Sequence, residues 1–89
     1  MNLYDQGRAA FERKDYAQAI AWFTEAIRLA PAHFDANVWR GVVHFEIGEI
    51  DQAIAAFTVA LRLQPAAPVY FNRGMAFERK RRRSWVRTR

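Results

Sequence analysis

The chain has 89 residues and a mass of 10.4 kDa, so it holds at most one domain of ordinary size. Its 52% hydrophobic and 15% aromatic residues argue against general disorder, because disordered chains lack the apolar side chains that a core needs. The net charge of +5 is unevenly distributed, since residues 79–89 carry seven basic residues and no acid, whereas residues 1–78 carry seven basic and nine acidic residues. Overall basicity is therefore a weak argument for nucleic-acid binding by the body of the chain.

Two helices are predicted in the first third of the chain. The first spans residues 2–14, and Asp15 is the expected N-cap of the second, which spans residues 16–29. Pro31 ends the second helix, because proline lacks the backbone donor and biases the preceding residue away from helix. The apolar and small positions of the first helix are Leu3, Gly7, Ala10 and Phe11.

The next two helices repeat this pattern. Asp35 is the expected N-cap of a third helix, which Gly48 closes. Asp51 is expected to start a fourth helix, which ends before Pro65. The apolar positions of these two helices are Val38, Val42 and Phe45, followed by Ile54, Phe57 and Leu61.

A fifth helix is predicted over residues 68–80, and it lacks a partner within the chain. After Lys80 the pattern requires a turn and another helix, but a basic tail follows over residues 81–89. The predicted segments are therefore a first repeat, a second repeat, one helix of an incomplete third repeat and a tail, at residues 1–34, 35–67, 68–80 and 81–89.

A shift of 34 residues aligns the first two helix pairs without a gap. Small residues at the matched positions let neighbouring helices approach to the roughly 8–10 Å of packed helices, and the large Phe23 and Phe57 fill the volume between successive pairs. A single pair cannot bury its apolar face, so the pairs must stack into a solenoid. The identical pairs include Gly7/Gly41, Ala19/Ala53, Phe23/Phe57, Ala26/Ala60 and Pro31/Pro65.

This spacing resembles the tetratricopeptide repeat over residues 1–80. Gln6 and Arg40 depart from it, since they occupy positions where the family usually has leucine. The resemblance implies an all-α, right-handed superhelix of antiparallel helix pairs, with about five helices here, that serves as a protein-binding scaffold. The residues that carry it are Gly7, Tyr16, Ala19, Phe23, Ala26 and Pro31, then Gly41, Ile50, Ala53, Phe57, Ala60 and Pro65.

The resemblance also implies a concave groove, lined by the first helix of each repeat, for a peptide or helix of another protein. Such a surface would be mostly apolar and aromatic with acids at one edge, which is typical of interaction sites. The alternative is that Tyr4, Phe11 and Phe45 belong to the core. The predicted groove residues are Tyr4, Arg8, Phe11, Glu12, Val38, Val42, Phe45, Glu46, Phe71 and Met75.

Chaperone-binding members of the family grip a terminal carboxylate with lysine and asparagine side chains. Only Asn72 and Arg8 suit that role here, so a receptor of this kind is not expected. The matching positions hold Tyr4, Arg8, Trp39, Pro68 and Asn72.

Catalysis, cofactors and metal ions are not expected. The chain has no cysteine, and its single serine, Ser84, lies in the basic tail. His33 is expected in a solvated loop and His44 at a structural or surface position, and neither has an acid or a second histidine at a metal-ligand spacing such as i+4. No signal peptide is recognisable, and a cytoplasmic location is expected.

The basic tail allows three interpretations. It could bind nucleic acid or an anionic membrane, which is the alternative function for the chain. It could be a solvated helix end whose cations complement the helix dipole. It could also result from a shifted reading frame, in which case another frame should encode the missing helix. Its cations, counted from the end of the fifth helix, are Arg79, Lys80, Arg81, Arg82, Arg83, Arg87 and Arg89.

The unpartnered fifth helix predicts self-association. Tyr70, Phe71, Met75 and Phe77 give it apolar surface on more than one side. Burying an aromatic side chain stabilises by roughly 1.5–3 kcal/mol, so several exposed ones favour a homodimer through this helix.

Overall fold

The computed structural model describes the backbone of residues 1–88 and the side chains of residues 1–83. The described part is all helical, without a strand, as predicted. None of its helices is both long and apolar enough to cross a membrane. The five helices are α1 (Leu3–Glu12), α2 (Tyr16–Leu29), α3 (Phe34–Glu46), α4 (Ile50–Leu63) and α5 (Ala67–Thr88).

Side chains cap three of the helices. Asn2 Oδ1 accepts a hydrogen bond from the Asp5 amide at 2.8 Å, and Asp15 Oδ1 accepts one from the Gln18 amide at 3.3 Å, so the predicted cap at Asp15 is present. At α3 the cap is His33, whose Nδ1 accepts from the Ala36 amide at 3.1 Å.

Three sequence expectations about the loops and helix starts were wrong. Asp35 lies within the first turn of α3 instead of capping it, because the half-buried His33 holds the capping position. His33 is therefore not a solvated loop residue. Asp51 also lies in a first turn, since α4 begins at Ile50, where Glu49 occupies the cap position without a side-chain hydrogen bond.

The turns that close α1 and α3 lie 34 residues apart. Lys14 has φ of +62° and Gly48 has φ of +85°, so both adopt the left-handed conformation that ends a helix. Lys14 bears the steric cost that a side chain incurs there, whereas Gly48 does not.

The third unit follows the second with a spacing of 33 residues, from Gly41 to Gly74, so residue 81 is the corresponding position in α5, but there the helix continues. Arg81 stays helical, and α5 extends beyond the predicted boundary at residue 80 as far as Thr88. Within this extension Glu78 pairs with Arg81 at 2.6 Å and with Arg82 at 3.3 Å, which are the helix-supporting i,i+3 and i,i+4 spacings. Residues 81–88 thus form part of a helix 22 residues long.

Two glycine–phenylalanine contacts hold the helix pairs together. An added Cβ at Gly7 would lie 2.6 Å from the ring of Phe23, and one at Gly41 would lie 2.6 Å from the ring of Phe57. Both rings are fully buried. The predicted close approach at small residues is confirmed at both glycines, since no larger side chain fits between α1 and α2 or between α3 and α4.

Each helix packs on the next along the chain, and the odd-numbered helices also contact one another. α1 contacts α3 and α3 contacts α5, so these three helices lie side by side. The name groove face is used below for the ten predicted groove residues, all of which lie on these three helices.

Candidate functional site

The predicted groove residues differ in exposure along the groove face. Those on α1 and α3 include half-buried apolar side chains that pack against two core clusters, whereas Phe71 and Met75 on α5 are 67% and 42% exposed. The three polar residues Arg8, Glu12 and Glu46 are exposed. The half-buried ones are Tyr4, Phe11, Val38, Val42 and Phe45.

At the α1 end of the face, aromatic rings fill the space between α1 and α3. The rings of Phe11 and Trp39 meet edge to face with centroids 5.2 Å apart, and Tyr4 lies 6.0 Å from the buried Phe23. The Arg8 guanidinium lies 5.9 Å from the Tyr4 ring and 5.3 Å from the Trp39 ring. This end of the groove face therefore presents the Arg8 guanidinium in cation–π contact with two aromatic rings, and it does not form an open apolar cavity.

At the α5 end, the face is open between α3 and α5. A cavity of about 140 Å³ has an apolar floor with two polar groups, and its lining residues are Val42, Phe45, Glu46, Phe57, Asn72 and Met75. A second cavity of about 200 Å³ shares Phe45 and Met75 and continues toward the end of α5. The two cavities offer a place for an apolar side chain of a bound partner.

Two cations of the predicted tail border this opening. The Arg79 guanidinium lies 4.8 Å from the centroid of the Phe45 ring, and Arg79 and Arg82 both line the second cavity beside Glu78. Sequence reasoning assigned them to a separate tail. Arg79 lies one turn after Met75 within the predicted fifth helix, whereas the place of Arg82 would have been predicted only by continuing that helix past Lys80.

Two other tail cations fasten the extension of α5 to the second repeat. Lys80 Nζ lies 2.8 Å from Asp51 Oδ1, and Arg83 Nη1 donates to the Gly48 carbonyl oxygen at 3.0 Å. The hydrogen bond and charge of Lys80 lower the pKa of the Asp51 carboxyl below its ordinary value. Arg87 and Arg89 lie outside the residues whose side chains are described.

The second histidine has a structural contact. His44 Nδ1 lies 2.7 Å from Glu49 Oε1, and its side chain is 14% exposed, so this pair bridges the turn between α3 and α4.

Two polar side chains of α3, those of Arg40 and Asn37, each contain a buried atom without a hydrogen-bond partner among the described residues. Burial lowers the pKa of the Arg40 guanidinium, and its Nε has no hydrogen-bond partner among the described side chains. Asn37 Nδ2 donates to the His33 carbonyl oxygen at 2.9 Å, while its buried Oδ1 lacks a partner in the same described set. The arginine that replaces the family's leucine is thus poorly accommodated here.

The sequence pattern of the tetratricopeptide repeat family matches residues 4–68. The chain belongs to the tetratricopeptide repeat family. No curated protein sequence matches it significantly. Proteins with this repeat and fold are typically non-catalytic scaffolds that bind other proteins.

Two solved structures share the solenoid. The crystal structure of MamA is 32% identical with a TM-score of 0.85, and the match covers 88% of this chain and 46% of that one. The Arabidopsis OM64 TPR domain is 28% identical with a TM-score of 0.86, and the match covers 90% of this chain and 67% of that one. The chain therefore spans less than half the length of the MamA chain.

Proposed function

We propose that this tetratricopeptide repeat chain binds a peptide or helix of a partner protein along its groove face. The observation that supports this most is the pair of cavities between α3 and α5, bounded by the exposed Met75 and by Phe45. An apolar side chain of the partner would enter the cavity beside Val42, where burial contributes roughly 1.5–3 kcal/mol for a leucine or phenylalanine.

The charges around the opening favour a partner with acidic residues next to its apolar anchor. Arg79 and Arg82 stand at the α5 end of the face, and Arg8 stands at the α1 end. Glu78 already pairs with Arg82, so Arg79 is the cation best placed to meet a partner carboxylate. Such a contact would set orientation and association rate more than affinity.

The test is selection of peptides from a displayed library on the full chain, followed by affinity measurement. Met75→Glu places a charge in the cavity mouth and should weaken selected peptides at least about tenfold, because a cavity contact of this kind is a hot spot. Val59→Glu, the same charge at an exposed position of α4, is the matched control and should leave affinity unchanged. Val42→Glu and Phe45→Ala should also abolish binding.

Binding to nucleic acid or an anionic membrane through the basic tail is the second candidate. The exposed cations of the extension support it, although four of them engage groups of this chain, namely Lys80, Arg81, Arg82 and Arg83. This candidate requires strong salt dependence that disappears when residues 79–89, which carry all seven tail cations, are deleted. Peptide binding that survives this deletion and fails in Met75→Glu would exclude the tail as the main site. Self-association through α5 remains a separate prediction.

A further inference from the structure

The side of α5 that carries Gly74 is not covered by another described helix. The same side of α1 is covered by α2, and the same side of α3 is covered by α4. Gly74 corresponds to Gly7 and Gly41, yet an added Cβ at Gly74 would meet no described atom within 4 Å. Tyr70 and Phe77, four residues before and three after it, are each 50% exposed. These three residues form what is called the open side of α5 below. Arg73 lies at its edge, since its Nη1 also donates to Thr58 Oγ1 of α4 at 3.2 Å.

The equivalent positions in α1 and α3 show what such a side normally contacts. Tyr70 corresponds to Leu3 and Asn37, and Phe77 corresponds to Ala10 and His44. Ala10 and Asn37 are fully buried, and Leu3 and His44 are half-buried. In each of the helix pairs α1–α2 and α3–α4, the second helix supplies a phenylalanine whose ring lies on the glycine of the first helix. That phenylalanine stands between two buried alanines, in Ala19–Phe23–Ala26 of α2 and Ala53–Phe57–Ala60 of α4.

We propose that the open side of α5 binds a helix of a partner protein. This helix presents a phenylalanine, with one small residue four positions before the phenylalanine and another three positions after it. The docked helix would run antiparallel to α5, as α2 does to α1, and its phenylalanine ring would lie on Gly74. The partner would thus complete the third repeat from outside the chain. This surface is distinct from the groove face.

Charge identifies this partner further as acidic. α5 contains seven basic residues and one acid. The Arg73 guanidinium lies 5.6 Å from the Tyr70 ring and 6.0 Å from the Phe77 ring, so a cation stands over the aromatic surface to be covered. A carboxylate on the docked helix beside Arg73 would complement this cation, whereas Arg81 already pairs with Glu78 at 2.6 Å.

A second copy of α5 fits this surface poorly. Arg73 and Lys80 flank Phe77 at the positions where α2 and α4 have alanine, so close approach of two α5 helices would meet bulk in place of small residues. Two such helices would also bring together strongly basic surfaces, which is destabilising. The predicted homodimer through this helix is nevertheless the competing occupant, and the experiment distinguishes the two.

The experiment uses the full chain and a terminally blocked, fluorescently labelled peptide with the sequence of residues 15–30. This peptide carries Asp15, Glu25 and the Ala19–Phe23–Ala26 pattern. We expect saturable binding by fluorescence anisotropy that falls about tenfold or more when the peptide contains Phe23→Ala or the chain contains Gly74→Leu. A Cβ at Gly74 meets no described atom within 4 Å and leucine favours helix, so Gly74→Leu should stay folded by circular dichroism.

Two controls separate this site from the groove face and test the charge argument. Phe71→Ala and Met75→Glu, on the groove side of α5, should leave the affinity for the peptide within about twofold, since they lie outside the contact. A peptide with Asp15→Asn and Glu25→Gln should bind more weakly and with less dependence on salt.

Three results would overturn the proposal. They are absence of binding by the peptide, equal binding by Gly74→Leu, and a dimer of the free chain in sedimentation equilibrium that Gly74→Leu converts to monomer. The last result would assign the open side to a second copy of this chain.

Discussion

The α3–α4 pair and the lone helix α5 begin alike and end differently. In the pair, the ring of Phe57 lies on Gly41 so closely that an added Cβ would be 2.6 Å from it, whereas Gly74 in α5 has open space around it. The pair turns back at Gly48, whereas α5 continues through the corresponding Arg81. The difference shows that the same glycine position can be covered by a following helix or left open by the described residues, and that the helix carrying it ends in the first case and continues in the second.

The lone helix is supported by a different set of contacts. Val69 and Ala76 bury one side of α5 against α4, while Lys80 and Arg83 hold its extension at the start of α4. α3 is stabilised by its contact with the following helix α4. α5 is stabilised by packing on α4 along one side and by the contacts of Lys80 and Arg83 near its C-terminal end. The comparison predicts that equivalent substitutions in the two regions will have unequal effects.

The largest difference is expected between Phe57→Ala and Phe77→Ala. Phe57 is 1% exposed and fills the space against Gly41, so its removal should cost about 3–5 kcal/mol of unfolding free energy and leave so small a chain largely unfolded. Phe77 is half exposed, and its removal should cost less than about 1 kcal/mol. Urea denaturation followed by circular dichroism measures both, and equal losses would contradict the comparison.

The repeat register and most helix ends could be predicted from the sequence because they depend on local chemistry. Pro31 and Pro65 mark helix ends because proline cannot continue the interior of a helix, and the 34-residue shift identifies the matched small and large positions of the two pairs. The cap of α3 was mispredicted because Asp35 is the more usual capping residue, whereas His33 is placed there by its packing beside Tyr4, with ring centroids 5.1 Å apart.

The groove face was less predictable than the fold. Its α5 end depends on a helix that continues through seven basic residues, and the sequence pattern led us to expect a turn after Lys80. The position of Arg82 beside the second cavity follows only once that helix continues past Lys80. Exposure also depends on tertiary contacts, so spacing alone could not separate the half-buried Tyr4 from the exposed Phe71.

A smaller effect is expected at the arginines that occupy the family's leucine position. Arg40→Leu should raise the unfolding free energy by about 1 kcal/mol, because it removes a buried Nε without a described partner and restores an apolar contact. Arg73→Leu, the equivalent change in α5, should give no such gain, since Arg73 Nη1 donates to Thr58 Oγ1 at 3.2 Å. A loss of stability in Arg40→Leu would show that Arg40 has a role beyond this packing.

The smallest effect is a loss of α5 helicity in acid. Pairing with Arg81 lowers the pKa of Glu78, and Lys80 lowers the pKa of Asp51, so both carboxylates stabilise the folded extension at neutral pH. Because both pKa values are lowered in the folded chain, that contribution is present at neutral pH and is lost as the pH falls through the lowered pKa values. Circular dichroism at 222 nm measures this loss of helix on acidification. The loss should be smaller in Glu78→Gln, which has less helix at neutral pH. The Asp35→Asn control should lose as much helical signal as the original chain.

The most direct test of the account is the unfolding free energy of Gly41→Ala measured beside that of Gly74→Ala. The account predicts opposite signs. Gly41→Ala should destabilise by about 1–3 kcal/mol because its Cβ meets the Phe57 ring, and Gly74→Ala should stabilise by about 0.5–1 kcal/mol because alanine favours helix and the space is open. Destabilisation by both substitutions, or by neither, would contradict the claim that one glycine is filled and the other is open.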